Sequence, residues 1–300
     1  MNIKNNFSQD IAKKILGNID LKIEYLLKLN QLKKLNLNFK KITRGKNKGL
    51  MKLNYTNNEI NELVVDTWDY NISKNIIREI FTYNGKYKRG KEAHEVMNVL
   101  IEEWNKLSLG QIEWPFSQGA FDEFVQRINS INNTGDEKDI EVKSAAVKFR
   151  RLKEINTVRN DFLETLIFEK NTNILPTLNH RRGVDFFIDG ESFDQKVAKS
   201  PTKEFKKDFG ENWKQEALNK PEKVAEYLYK YQDEGRFGAD SRLLIVYLDE
   251  KVSIDEIQKK IEETDLENPL EINFTFNHRN EGEKRYKVKC FVILLCEEEK

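Results

Sequence analysis

Three residues in the stretch His180–Lys199 have types and spacing suited to hydrolysis: Asp185, Asp194 and Lys196. Between them, Asp189-Gly190 is a strong two-residue hairpin signal. With those two at the turn, Ile188 faces Glu191, Phe187 faces Ser192, Phe186 faces Phe193 and Asp185 faces Asp194. Directly opposed Cβ atoms lie roughly 4.5–5.5 Å apart, where like charges repel unless something neutralises them. A divalent cation would do so, and Mg²⁺ takes one or two carboxylates plus waters and substrate phosphate. Side chains alternate along a strand, so Asp194 and Lys196 share one face while Phe193, Gln195 and Val197 share the other. The position opposite Lys196 is Gly183, which leaves the lysine room. A lysine beside two carboxylates can hold an attacking water and stabilise charge developing on a phosphoryl group. An ordinary exposed hairpin has the same Asp-x-Lys spacing, but Phe186, Phe187 and Ile188 call for burial here.

These residues need elements to position them. Apolar residues recur at helical spacing at Ile11, Ile15, Ile19, Ile23, Leu26, Leu27 and Leu29, and again at Val96, Val99, Leu100, Ile101 and Trp104, so the first half reads mainly as helices. Tyr83–Lys91 reads as a Gly-punctuated basic loop with two tyrosines, suited equally to phosphate contact and to a solvated turn. The polar run 132–139 marks a boundary. Beyond it the spacing predicts a helix over about 153–169, strands over 184–188 and 192–198, and a charged helix over 212–231. A buried strand over 243–248, a helix capped by Ser253 and Glu256, and strands over 272–276 and 286–295 complete the order. This is an α/β arrangement with a central mixed β-sheet flanked by helices.

Asp185, followed after a hairpin by Asp194-Gln195-Lys196, resembles the PD-(D/E)XK nuclease motif, and the element order of 153–248 is similar to that superfamily's core. Val184 stands where the motif has proline. Among its members the similarity is to type II restriction endonucleases. The resemblance implies a helical region over 1–140, for DNA recognition or dimerisation, and a restriction endonuclease-like catalytic domain over 141–300. It implies a sequence-specific endonuclease that cuts double-stranded DNA to 5′-phosphate and 3′-hydroxyl ends, with Mg²⁺ or Mn²⁺ held by Asp185 and Asp194. An acidic residue of the first core helix often joins such a site, and Glu164 and Glu169 are the candidates, with Glu164 better placed. Arg181 and Arg182 could grip phosphate near the cut, and Lys199, Lys203, Lys206 and Lys207 could follow the backbone, as could Lys86, Lys88 and Arg89. Cutting both strands of a palindrome is most simply done by a homodimer. A repair or recombination nuclease on the same core, and a DNA-binding protein that does not cleave, are the alternatives.

Composition bounds these expectations. The chain has 300 residues, 51 basic and 50 acidic, with 38% hydrophobic residues, enough for a real core. No apolar run approaches the roughly 20 residues of a membrane span, and the first residues lack a signal-peptide stretch, so a cytoplasmic protein without membrane contact is expected. No Gly-x-x-x-x-Gly-Lys phosphate loop is present, which argues against a nucleotide cofactor. Cys290 and Cys296 lie in an apolar stretch and read as buried thiols. The near-zero charge hides an asymmetry: residues 1–50 carry 12 Lys/Arg against 3 Asp/Glu, including Lys40, Lys41, Arg44, Lys46 and Lys48. A basic arm suits a polyanionic partner, although a lysine-rich composition alone produces the same excess.

Overall fold

The computed structural model describes residues 12, 14–43, 48–108, 118–181, 183–231, 240–249, 252–278 and 282–297, with the main chain alone for 118–120, 179–181 and 278. The chain divides into two compact units, Met1–Asn84 with Ile167–Lys300, and Gly85–Leu166. Local chemistry starts each helix of the first segment. Asn18 accepts from the Leu21 N–H to open α1 (Ile19–Lys33), and Lys34, in the left-handed region at φ 51°, closes it. Strands β1 (Phe39–Lys41) and β2 (Met51–Leu53) pair as an antiparallel ribbon. Thr56 and Glu59 form a reciprocal capping box at the start of α2 (Asn57–Asp66), and Asp69 caps α3 (Tyr70–Thr82).

The second unit holds α4 (Gly85–Lys91), α5 (Ala93–Lys106), α6 (Gln118–Ser130) and most of α7 (Gly135–Lys170). Two sequence expectations are corrected here. Residues 85–91 form a helix where a loop was expected, because Gly90 lies tight against α7: a Cβ there would overlap Thr165 Oγ1 and come within 2.5 Å of the Asp161 carbonyl. The expected boundary at 140 falls inside α7, whose start is fixed by Thr134 and Glu137 bonded to each other's main chain or hydroxyl. On α5 the buried stripe is Ala93, Met97 and Trp104, while Val96 and Val99 are exposed. Trp104 packs with Leu152 and Ile155 of α7.

The rest of the first unit is built on a six-stranded mixed sheet, which bears out the expected α/β class. Its strands are β3 (Ile174–Arg181), β4 (Val184–Ile188), β5 (Glu191–Ala198), β6 (Arg242–Tyr247), β7 (Leu270–His278) and β8 (Gly282–Leu295). They lie in the order β3-β4-β5-β6-β8-β7, with β5, β6 and β8 parallel and the other neighbours antiparallel. Strand β3 was not expected. Its Pro176 suits an edge strand, and Arg78 of α3 anchors its start by donating to the carbonyls of Phe168, Asn171 and Ile174 at 3.0, 3.0 and 2.6 Å. The charged helix expected over 212–231 is broken: α8 (Lys203–Phe209), a short 3₁₀ turn, α9 (Trp213–Asn219) and α10 (Pro221–Lys230), with Pro221 opening the last. Helix α11 (Ile254–Glu263) starts at Ser253 as expected.

Helices α8–α10 contribute Phe205, Ala217, Val224, Ala225, Leu228 and Tyr229 to a core with Leu244, Val246, Ile272, Phe274, Val288 and Cys290 of the sheet. Each Val, Leu, Ile or Phe among them contributes about 1.5–3 kcal/mol by leaving water. Cys290 and Cys296 are both buried free thiols, and burial pushes the Cys290 thiol up to about 12. Among the described residues no helix is long and apolar enough to cross a membrane.

Candidate functional site

The hairpin β4–β5 forms as its sequence dictates. Asp189 and Gly190 both adopt positive φ, 48° and 84°, the requirement of a tight primed turn. The register is Ile188↔Glu191, Phe187↔Ser192 and Phe186↔Phe193. Alternation from Phe193 puts Asp194 and Lys196 on one face and Gln195 on the other, with Asp185 on the face of Asp194.

The regular ladder ends one pair before the carboxylates. Asp194 donates its N–H away from β4, to the Ser241 carbonyl at 3.1 Å. The Gln195 N–H donates to Asp185 Oδ2 at 2.8 Å, so this carboxylate occupies a place that a main-chain carbonyl would fill in a regular ladder. On the other side of β4, pairing with β3 is irregular between Pro176 and Arg181, where the Thr177 hydroxyl lies 3.4 and 3.3 Å from the carbonyls of Val184 and Asp185. Asp185 therefore sits where both flanking ladders break, the kind of irregularity that re-aims side chains in sheets.

Asp194 is 8% exposed and lies between two cations. The Lys196 ammonium donates to Oδ1 at 3.1 Å and meets Oδ2 at 2.9 Å, and the lysine side chain remains 48% exposed. On the parallel neighbour β6, Arg242 is the register partner of Asp194 and shares its face. Arg242 is 2% exposed and its guanidinium stands 5.0 Å from the Tyr229 ring centroid. Burial pulls the guanidinium below its ordinary range, and the neighbouring Tyr229, Asp194 and Asp240 oppose that. The same burial raises the Tyr229 phenol, whose hydroxyl donates to the Asp240 carbonyl at 3.0 Å. Sequence reasoning missed Arg242 and Tyr229. The one available signal is a cation opening the apolar run Leu243–Leu248.

The two hard carboxylates on one sheet face fit Mg²⁺, which needs only one or two and completes its shell with water and phosphate oxygens. They do not form a closed protein cage: among the described residues no group of three or more His, Cys, Asp or Glu gathers as metal ligands. Lys196 is ion-paired with Asp194, so a metal held at Asp194 would share that carboxylate with the Lys196 ammonium.

The other expected residues are placed as follows. Glu164 belongs to the second unit, where its Oε2 accepts from Lys86 Nζ at 2.8 Å with both side chains 14% exposed. In that unit too, Arg89 Nε donates to the buried Asp161 at 2.6 Å. Lys86 and Arg89 thus hold α4 to α7 by charge-assisted bonds, which corrects their reading as members of a loop, while Lys88 is exposed. Glu169 is exposed near the end of α7. Arg182 lies outside the described residues, and the side chains of His180 and Arg181 likewise. Lys199 and Lys203 are exposed, and Lys206 lies 4.4 Å from the Trp213 ring centroid. Lys203, Lys206 and Lys207 stand on helix α8. Comparison with protein-family models, with curated protein sequences and with solved structures gave no match.

Proposed function

We propose that the β4–β5 hairpin is the centre of a phosphodiester hydrolase acting on double-stranded DNA, a type II restriction endonuclease on a PD-(D/E)XK core. The observation that supports this reading is the Asp194–Lys196 ion pair, Lys196 Nζ 2.9 Å from Asp194 Oδ2 with the lysine still half exposed, on a strand whose Gln195 N–H holds the Asp185 carboxylate. Asp185 and Asp194 would hold Mg²⁺, which when bound polarises a phosphate oxygen and lowers the pKa of a coordinated water. The Gln195 N–H fixes the direction of the Asp185 carboxylate, and Arg242 stands at the register position beside Asp194 on the neighbouring strand. Lys196 would supply a donor for the attacking water and for charge growing on the phosphoryl oxygens. A homodimer is the proposed assembly for cutting both strands.

A second reading has its own support. Asp194 is already charge-balanced by Lys196 and Arg242, as it would be in a DNA-binding protein that does not cleave. Incubating the purified chain with a long duplex, in Mg²⁺ and in EDTA, separates the two. Discrete metal-dependent fragments with 5′-phosphate ends are expected. An intact duplex that the protein nonetheless shifts in a gel would favour the second reading, and a continuous smear would favour a repair or recombination nuclease.

A further inference from the structure

Between Glu24 and Glu59 the chain has no acidic residue and nine basic ones: Lys28, Lys33, Lys34, Lys40, Lys41, Arg44, Lys46, Lys48 and Lys52. Two of the helical lysines find anions, Lys28 on Glu79 at 2.6 Å and Lys33 on Asp69 at 3.8 Å. The β1–β2 ribbon treats its lysines differently. Its register sets Lys40 directly opposite Lys52, and like charges so placed repel. Lys40, Lys41, Lys48 and Lys52 are all exposed, and among the described residues no carboxylate pairs with any of them. Arg44 and Lys46 lie outside the described residues.

The ribbon has an inner and an outer face. Phe39 and Leu53 lie opposite each other on one, where Leu53 is fully buried. Alternation puts Lys40 and Lys52 on the other, next to Leu50, which is 51% exposed. An isolated pair of short strands is marginal in water, so this one must gain its stability by packing that inner face. The outer face then presents two like charges side by side to solvent, which a bound anion would neutralise.

We infer that the β1–β2 ribbon is a docking arm for the phosphate backbone of a DNA duplex, with Lys40 and Lys52 as its gripping pair. Two observations favour a nucleic acid over other polyanions. The ribbon belongs to the same compact unit as the hairpin bearing Asp185, Asp194 and Lys196. A two-stranded ribbon also matches the major groove, roughly 12 Å wide, whose walls are lined with phosphates. The inference rests on the proposed function for its choice of partner and goes beyond it in assigning binding to an element outside the catalytic hairpin.

The test is a salt titration of full-length protein binding to a random-sequence duplex, read by fluorescence anisotropy in EDTA. The wild type is compared with Lys40→Gln/Lys52→Gln and with Lys40→Arg/Lys52→Arg. Each lost phosphate contact removes about 0.9 from the slope of log K against log salt, so the glutamine pair should flatten it by about two and the arginine pair should keep it. Thermal melting of the glutamine pair should be unchanged or higher, because the opposed charges are gone. An unchanged slope overturns the inference, as does a wild type that binds phosphatidylserine vesicles but no duplex. Mg²⁺ digestion by the same proteins reads the proposed function separately. A slope change in a protein that cuts nothing leaves the arm standing and removes the hydrolase, and cleavage with an unchanged slope does the reverse.

Discussion

At the scale of single residues, the candidate site joins chemistry to folding at Asp194. Arg242 is a fully buried cation, and Asp194 is its register partner on β5. Asp194 is one of the groups that favour the charged form of this buried guanidinium, after Tyr229 and with Asp240. Asp194→Asn should therefore lower stability to urea, and a double-mutant cycle with Arg242→Met should show coupling between the two positions. Strictly additive losses would mean that the two side chains act independently. The hairpin turn and its register were legible in the sequence, because Asp189-Gly190 and the strands that it joins are adjacent along the chain. Arg242 was not, because its place beside Asp194 arises only when β5 and β6 pair in parallel across an intervening set of helices. The bond from the Gln195 N–H to Asp185 was equally hidden, since it exists only where the ladder breaks.

At the scale of elements, Gly85 and Gly90 look alike in sequence and differ in space. Reading both as punctuation gave a loop over Tyr83–Lys91, but the glycine at 90 serves close approach inside a helical pair. A Cβ at Gly90 would meet the Asp161 carbonyl at 2.5 Å, and a backbone atom cannot swing away. At Gly85 the nearest atom would be an Arg89 guanidinium nitrogen at 3.2 Å, the far end of a flexible side chain. Gly90→Ala should thus cost about 1–3 kcal/mol through overpacking despite alanine's better helix propensity, whereas Gly85→Ala should be neutral or slightly stabilising. Thermal melts of the two variants check this, and equal behaviour would mean that α4 does not lie tight on α7. The same limit explains the other differences. Strand β3 carries a proline, which argues against a strand, and the break at Pro221 is concealed by an average charge pattern over 212–231.

At the scale of the whole molecule, the mixed sheet was legible because its central strand β6 is apolar from Leu243 to Tyr247 and helix α11 is capped by Ser253. The partition was not: a cut near residue 140 followed composition, while the compact units place residues 1–84 with 167–300. The candidate centre and the basic ribbon thereby belong to one unit although their sequences lie far apart. The central claim is that this unit hydrolyses phosphodiesters at the β4–β5 hairpin. Lys196 tests it most directly, because Asp194 is buried and Asp185 is bonded to the main chain, whereas the Lys196 side chain is 48% exposed and does not pack in the core. The measurement is the single-turnover rate of duplex cleavage in Mg²⁺ by the wild type and by Lys196→Ala, with melting temperatures alongside. The account predicts metal-dependent cleavage that slows by two or more orders of magnitude in the variant while its melting temperature holds. Cleavage at the wild-type rate by Lys196→Ala, or no metal-dependent cleavage by the wild type, would contradict it.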